Sequence, residues 1–574
     1  MRFPYPLSLL FALILLASCS KATEEQATLL IYGGPIYTVD STQTTVEAVA
    51  VKDSIILFAG SMEEAEKFAT AETERMDLEG KTMTPGLIEG HGHFMGLGVN
   101  ELNLDLLNTT SYEQIVEMVA ERVKTAEPGE WILGRGWHQS KWDSIPGETV
   151  DGFQTHDMLS AVSPNNPVYL SHASGHAGFA NAKAMELSGL RVLPMEGLDM
   201  MEVEGGEVIR DKTGRPTGVF NERAQLLITK NIPEITNDQY NKAFELAVKA
   251  CHRNGITSFH DAGIGRENIA LYQAKKKAGQ LNVRMYAMLT GWDKELLEEW
   301  YKTGPYVDPD HRLTFRSIKL NCDGALGSRG AWLLEEYSDR PGHFGHETLP
   351  MEFVKETAIT GLANGFQVCA HAIGDRANRE ILDRYEIAIK GNPNKTTDHR
   401  FRIEHAQHLH PEDIPRFAEL KVIPAMQAIH LSSDRPWAID RLGEKRIVEG
   451  AYMWQTLLES GVPIVNGTDV PVEPINPIAS FYASVSRRTL KGFPEGGFEP
   501  AQKMTREQAL RSYTLDAAYG AFEEDFKGSI QAGYLADFTI YSQDIMTVEE
   551  SQILDTQIAM TIFNGQVVYQ AGSN

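Results

Sequence analysis

The stretch Gly86-Leu-Ile-Glu-Gly-His-Gly-His93 decides how the rest of the chain is read. It is a short apolar run bracketed by glycines, which has a strand's texture, and it ends in two histidines. His91 and His93 stand at i and i+2, so in a strand both imidazoles point to one side. Comparable runs recur downstream, each followed by helix-like sequence: Gly255–His260, Val283–Leu289, Arg316–Leu320, Phe366–His371, Phe401–His405, Val422–Gln427 and Pro463–Asp469. With the first they make eight strand candidates, the number a (β/α)8 TIM barrel needs. The interval after the first is too long for one βα unit. Residues from about 95 to 245 are therefore expected to hold an inserted subdomain, with Asn166-Pro-Val-Tyr-Leu-Ser171 as one of its strands.

The flanks have a different texture. Thr28–Gly34, Val46–Lys52 and Ser54–Gly60 alternate and end at turn signals, and so do Ala536–Tyr541 and Ile558–Tyr569, where Asn564-Gly565 marks a two-residue hairpin. Termini commonly lie close together, so the two β-rich ends are expected to meet. The predicted fold class is α/β: a distorted TIM (β/α)8 barrel over 83–527 with an insertion after its first strand. A small β-sandwich is expected from residues 28–82 and 528–574.

Ligand-type residues fall at the C-terminal ends of these runs. His91 and His93 close the first, Lys319 lies in the fourth, His371 ends the fifth, His405 the sixth and Asp469 the eighth. Barrel strands aim those ends at one face, so residues remote in sequence converge there. Lys319 is flanked by Ile318 and Leu320 of opposite strand parity. If those two pack outward, Lys319 points inward, where a bare ammonium is costly. A single histidine at a strand end is an ordinary structural residue; the ordered set reads as a metal site.

A series of motifs runs through nearly everything after residue 28. They are Thr84-Pro-Gly-Leu-Ile-Glu-Gly-His-Gly-His93, Ser171-His-Ala-Ser-Gly-His-Ala-Gly-Phe-Ala-Asn181, Gly255-Ile-Thr-Ser-Phe-His-Asp-Ala-Gly263 and Ile318-Lys-Leu-Asn-Cys-Asp-Gly-Ala-Leu-Gly-Ser-Arg329. His371-Ala-Ile-Gly-Asp-Arg-Ala-Asn378, Arg402-Ile-Glu-His-Ala-Gln407, Gly467-Thr-Asp-Val-Pro-Val472 and Gly533-Tyr-Leu-Ala-Asp-Phe538 complete the series. In these the chain resembles the amidohydrolase superfamily, and within it the branch that includes N-substituted formamide deformylase (amidohydrolase family 3). The resemblance implies a metal-dependent amidohydrolase that cleaves an amide-like C–N bond of a small molecule, an N-substituted formamide being one candidate. It implies two divalent metal ions: His91 and His93 would hold one, His371 and His405 the other, with Lys319 bridging them as a carbon dioxide-derived Nζ-carboxylate. A metal-bridging hydroxide would attack the carbonyl carbon. Asp469 would bind metal and act as the catalytic acid–base. The histidine-rich donor set favours zinc.

By the same resemblance His176 would lie over the substrate, and Arg329 would hold a polar substrate group. Two positions depart from the family's usual pattern, Glu89 where Asp is common and His138 where an acid or amide is common. Neither is a proposed ligand, so both bear on substrate contacts. Trp131, Trp137 and Trp142 can serve either as a pocket wall or as core. Two rival readings stay open: a mononuclear-metal deaminase, which would lack the bridging lysine, and a non-catalytic lipid-anchored binding protein on the same fold.

Composition sets the remaining bounds. The chain has 574 residues and a formal net charge of −25, with no offsetting basic cluster, which argues against nucleic acid as a partner. At the start, Leu9–Ala17 is an unbroken apolar run, too short to span a bilayer and typical of a secretory signal. It ends in Leu16-Ala17-Ser18-Cys19, which resembles the lipobox of bacterial lipoproteins. The resemblance implies a signal peptide over 1–18, lipidation of Cys19 and a tether over 19–27. The mature protein would then be exported and lipid-anchored to a bacterial membrane: the outer membrane or the periplasmic face in a Gram-negative cell. The other cysteines, Cys251, Cys322 and Cys369, are odd in number and lie in apolar stretches, so no disulfide framework is expected.

Overall fold

The computed structural model describes residues 26–139, 142–144, 147–172, 177–190, 206–392 and 398–572. Cys19 and its signal segment, and His176, lie outside them.

Eight parallel strands form the barrel: β1 (Leu87–Gly92), β2 (Ile256–Ile264), β3 (Arg284–Thr290), β4 (Leu313–Asn321), β5 (Gln367–Ala372), β6 (Arg402–His405), β7 (Ile423–Met426) and β8 (Val465–Asn466). Each coincides with one of the runs read from the sequence. Neighbours pair in parallel along the whole path from β1 to β8. Past the end of the short β8, the Asp469 N–H donates to the His91 carbonyl at 2.8 Å and the His93 N–H to the Val470 carbonyl at 2.7 Å, drawing β8 against β1. Two glycines permit this approach. A Cβ at Gly90 would stand 2.4 Å from the Asn466 carbonyl oxygen, and one at Gly467 would stand 2.6 Å from the His91 nitrogen. Any side chain at either position would push the first and last strands apart.

Strand parity sorts the side chains. Phe259, Phe315, Ile318, Leu320, Val368 and Ile403 face outward into a large apolar cluster with the surrounding helices. The inward positions are mostly polar, with one small apolar group of Ala262, Met288 and Cys369. The Tyr286 hydroxyl donates to Gln367 Oε1 at 2.9 Å, and Arg402 Nη1 lies 3.1 Å from His260 Nδ1. The barrel's axis is thus a hydrogen-bonded column with few aliphatic layers, and buried polar groups of this kind must be partnered to be tolerated.

Between β1 and β2 lies the insertion. Its six-stranded sheet runs in the order Gly206–Arg210, Pro216–Glu222, Ala177–Ala180, Val168–His172, Ile132–Trp137 and Leu104–Asp105. The tryptophans serve as core here. Trp137 is fully buried and donates to the Leu170 carbonyl at 2.7 Å, Trp142 stacks on Tyr112, and Trp131 packs against the Tyr169–Phe220 cluster. Arg135 reaches back to the barrel, donating to the Pro471 carbonyl at 3.0 Å.

The two ends of the described chain share one eight-stranded sheet with an apolar cluster on each face. Leu29, Ile31, Val49 and Val51 join Phe538, Ile540 and Ile562 on one side, while Leu30, Ala48 and Ala50 pack with Ala65 on the other. Asn564 and Gly565 both have positive φ (58° and 75°), as a type I′ hairpin requires. Leu29–Tyr37 runs parallel to Thr82–Pro85, and the latter leads directly into β1. The sheet sits at the N-terminal ends of the barrel strands. There the Thr539 hydroxyl donates to the Gly255 carbonyl at 2.6 Å, and buried Arg284 at the start of β3 pairs with Asp537 at 2.6 Å and with Asn564 at 3.0 Å. The three described cysteines are free and buried. No helix among the described residues is long and apolar enough to cross a membrane.

Candidate metal centre

Six residues nominated by the sequence come together at the C-terminal ends of the strands. One ligand atom each of His91, His405 and Asp469 lies within 4.8 Å of the others. Around that nucleus, Asp469 Oδ1 stands 3.3 Å from His93 Nε2 and 3.6 Å from His91 Nε2. Lys319 Nζ is 3.3 Å from His91 Nε2, and the ring of His371 is centred 4.4 Å from that of His405.

An oxygen acceptor stands behind three of the four imidazoles. Nδ1 of His91 bonds to Glu404, whose carboxylate is also gripped by Arg402 through two bonds of 2.8 and 2.9 Å. Nδ1 of His405 bonds to Gln427 Oε1 at 2.6 Å. His371 turns Nε2 toward Asp323, 3.3 Å away, and that carboxylate is fixed by the backbone N–H groups of Trp332, Ile373 and Gly374. An acceptor behind one ring nitrogen holds the proton there and leaves the opposite lone pair facing the site. The turn after His93 is set by Asp261, which accepts from the Phe94 N–H at 3.0 Å and from the Tyr272 hydroxyl at 2.6 Å.

Electrostatics agree with that geometry. Burial, and next the Lys319 charge, depress His91 to about 4; burial, and next His371, hold His405 well below its usual range. Both rings are neutral at physiological pH, as ligands must be. Burial acts to raise Asp469, but His93, His91, His405 and His430 outweigh it and keep the carboxylate ionised. Burial likewise acts to raise Glu404, and Arg402 and His91 bring it down to about 2. For Lys319 burial wins and lowers the ammonium's pKa, since no carboxylate among the described residues lies within ion-pair distance of Nζ.

Two of the six positions are backbone outliers. His405 and Asp469 have φ of 73° and 57°, in the left-handed region. Such conformations cost about 1–3 kcal/mol each and persist where the surroundings impose them, commonly at functional sites.

Other sequence-nominated residues go elsewhere. Arg329 pairs with Asp339 at 2.8 and 3.1 Å, in a network that includes Arg441, and joins none of the six. Glu89, expected to bear on substrate contacts, is instead fully buried and bonded to the Thr468 N–H and hydroxyl, tying β1 to the segment that carries Asp469. Burial pushes its carboxyl up to about 8. The ring of His138 is centred 4.5 Å from that of His172 in the insertion.

Residues 74–569 match the model of the amidohydrolase family. The chain belongs to that family. It is similar to YtcJ of Bacillus subtilis, 31% identical over 549 residues that cover 94% of this chain and 99% of that one. N-substituted formamide deformylase of Arthrobacter pascens is 25% identical over 94% of this chain and 98% of its own length. Among solved structures, a metal-dependent hydrolase from Pyrococcus horikoshii superposes with a TM-score of 0.71 at 27% identity, covering 91% of this chain and 99% of that one. This amidohydrolase is a metal-dependent hydrolase built on an α/β barrel.

Proposed function

We propose that the chain hydrolyses the C–N bond of an amide-like small molecule at a binuclear metal centre, with N-substituted formamides as the first substrate class to test. The observation that carries this reading is the convergence of six ligand-type side chains from five strand ends, with an oxygen acceptor behind three of the imidazoles. The donor set fits metal. Oδ1 of Asp469 is buried without a hydrogen bond of good geometry among the described residues, although Nε2 of His93 stands 3.3 Å away, and an orphaned buried polar atom costs about 1–3 kcal/mol. His91 and His93 would hold one ion and His371 and His405 the other, with Lys319, once carboxylated, and Asp469 as further ligands; imidazole and carboxylate donors suit zinc. When bound, the ions supply Lewis acidity and a water acidic enough to ionise near neutral pH.

The rest of the chemistry belongs to the chain. Nζ of Lys319 gives up one proton to become the free amine, adds to carbon dioxide and gives up a second, so an uncompensated buried cation becomes an anionic ligand. Asp469, whose Oδ1 stands 3.3 Å from Nε2 of His93, accepts the proton of the attacking water and delivers it to the departing nitrogen. Glu404, Gln427 and Asp323 keep the ligand rings oriented through the cycle. The similarity to N-substituted formamide deformylase supports the substrate class.

The test is metal analysis after loading with zinc and bicarbonate, paired with a panel of N-substituted formamides, N-acyl amino acids and cyclic amides. About two ions per chain and amide turnover are expected. The tight His91–His405–Asp469 group favours a second reading, a one-metal deaminase; one ion per chain with ammonia release would select it.

We also propose that Cys19 carries an acyl anchor, on the strength of the apolar run that ends at Leu16-Ala17-Ser18-Cys19. Cys19→Ala is expected to accumulate as unlipidated precursor. Wild-type protein free of acyl mass would refute this.

A further inference from the structure

We propose that His430 is a substrate-binding residue of this site, donating from Nε2 to the carbonyl oxygen of the scissile amide. The inference deepens the amide-hydrolase reading above and rests on it.

Three observations lead here. His430 belongs to the first turn of the helix Ala428–Gly450, three residues after Gln427, and its N–H bonds the Gln427 carbonyl at 3.2 Å. Residues three apart on a first turn share a side, so the turn that orients His405 through Gln427 also carries His430 toward the site. Its ring lies nearly parallel to that of His405, at 20° and 6.1 Å between centroids.

His430 is 7% exposed, and its Nε2 is buried with no hydrogen-bond partner among the described residues. His156 and His408 also bury ring nitrogens without a partner, so what singles out His430 is that its orphaned nitrogen lies on a ring stacked beside His405. Two orphaned polar atoms therefore stand in one constellation: Oδ1 of Asp469 and Nε2 of His430. The first belongs to the proposed ligand set, and His430 does not. No carboxylate lies within ion-pair distance of its ring among the described residues, so no protein group claims the nitrogen. The atom it lacks is an acceptor brought by the substrate. A donor beside the base Asp469 meets the oxygen on which negative charge develops as the carbonyl carbon becomes tetrahedral.

The experiment compares wild type with His430→Ala and His430→Gln, each loaded with zinc and bicarbonate. Four readouts are taken: metal content, melting temperature, kcat and KM on the best amide of the panel, and binding of acetohydroxamate, whose carbonyl oxygen reports on the same donor without turnover. His430→Ala is expected to keep its metal and stability, to lose about 100-fold in kcat with a smaller change in KM, and to bind acetohydroxamate at least fivefold more weakly. His430→Gln, which retains an N–H, is expected to recover part of both losses. Unchanged kcat and hydroxamate binding in His430→Ala would overturn the proposal alone. So would losses that follow a fall in metal content, which would make His430 a support for His405. A wild-type chain that takes up no metal would overturn the amide-hydrolase reading and this proposal with it.

Discussion

At the scale of single residues, Lys319 is the most revealing position. Its neighbours Ile318 and Leu320 pack outward, its side chain points into the barrel, and its ammonium has no anionic partner within ion-pair distance among the described residues. Lys319→Ala should therefore fold, because the outward packing is untouched and an uncompensated buried charge is removed. It should bind metal weakly and lose most of its activity, and short carboxylic acids should restore part of both. Lys319→Glu should retain part of the bridge, with the right charge on a shorter arm. Full activity in Lys319→Ala with two ions bound would remove the lysine from the mechanism. This inward lysine was legible from strand parity alone. His405 was legible only as a strand-end histidine: it shares parity with the outward-packing Phe401 and Ile403, and only the left-handed backbone at His405 and Ala406 re-aims it. Nothing in an alternating pattern signals such a residue-level turn.

At the scale of elements, strand ends supply the proposed ligands, while their supports come from neighbouring strands and loops. Gln427 caps the helix Ala428–Gly450 at the end of β7, and its side chain holds Nδ1 of His405. Removing such a support commonly weakens metal affinity by about 10–100-fold. Gln427→Ala should show a loss of that size in a chelator competition with little change in melting temperature, and Gln427→Glu, which still offers an acceptor, should retain most of the affinity. Equal affinity in all three proteins would reduce the contact to packing. These supports were not readable in the sequence. Glu404 and Arg402 look like ordinary polar residues of a strand, and Asp323 follows β4 without any spacing that ties it to His371, so only the tertiary register brings them together. The eight strands were readable because apolar runs bounded by turn signals are a local property. Glu89 misled for the same reason: its position beside the histidines said nothing of Thr468, 379 residues downstream.

At the scale of the whole molecule, barrel and terminal sheet are joined by a buried ion pair. Arg284 and Asp537 are nearly inaccessible, and Asn564 completes the guanidinium's contacts. Taking away one partner of such a pair leaves a stranded charge and typically costs about 3–5 kcal/mol, whereas replacing both with apolar residues is close to neutral. Asp537→Ala should lower the melting temperature sharply while the metal-loaded fraction keeps its turnover, and Arg284→Met with Asp537→Leu should regain much of the loss. A drop in turnover of the folded Asp537→Ala protein would mean that the sheet reaches the chemistry. That the two ends would meet was foreseeable from their shared texture. Which buried charges fasten them was not, since Arg284 sits in an otherwise apolar run.

The placement of that sheet also fixes a direction. Thr82–Pro85 runs toward the barrel, and Leu29–Tyr37 runs parallel to it, so the first described residues lie at the end of that strand away from the barrel, beneath its floor. The histidines open at the roof. With Cys19 acylated as proposed, the protein would stand on its membrane like a cup on its foot, open to the water above. Its substrates would then arrive from solution rather than out of the bilayer.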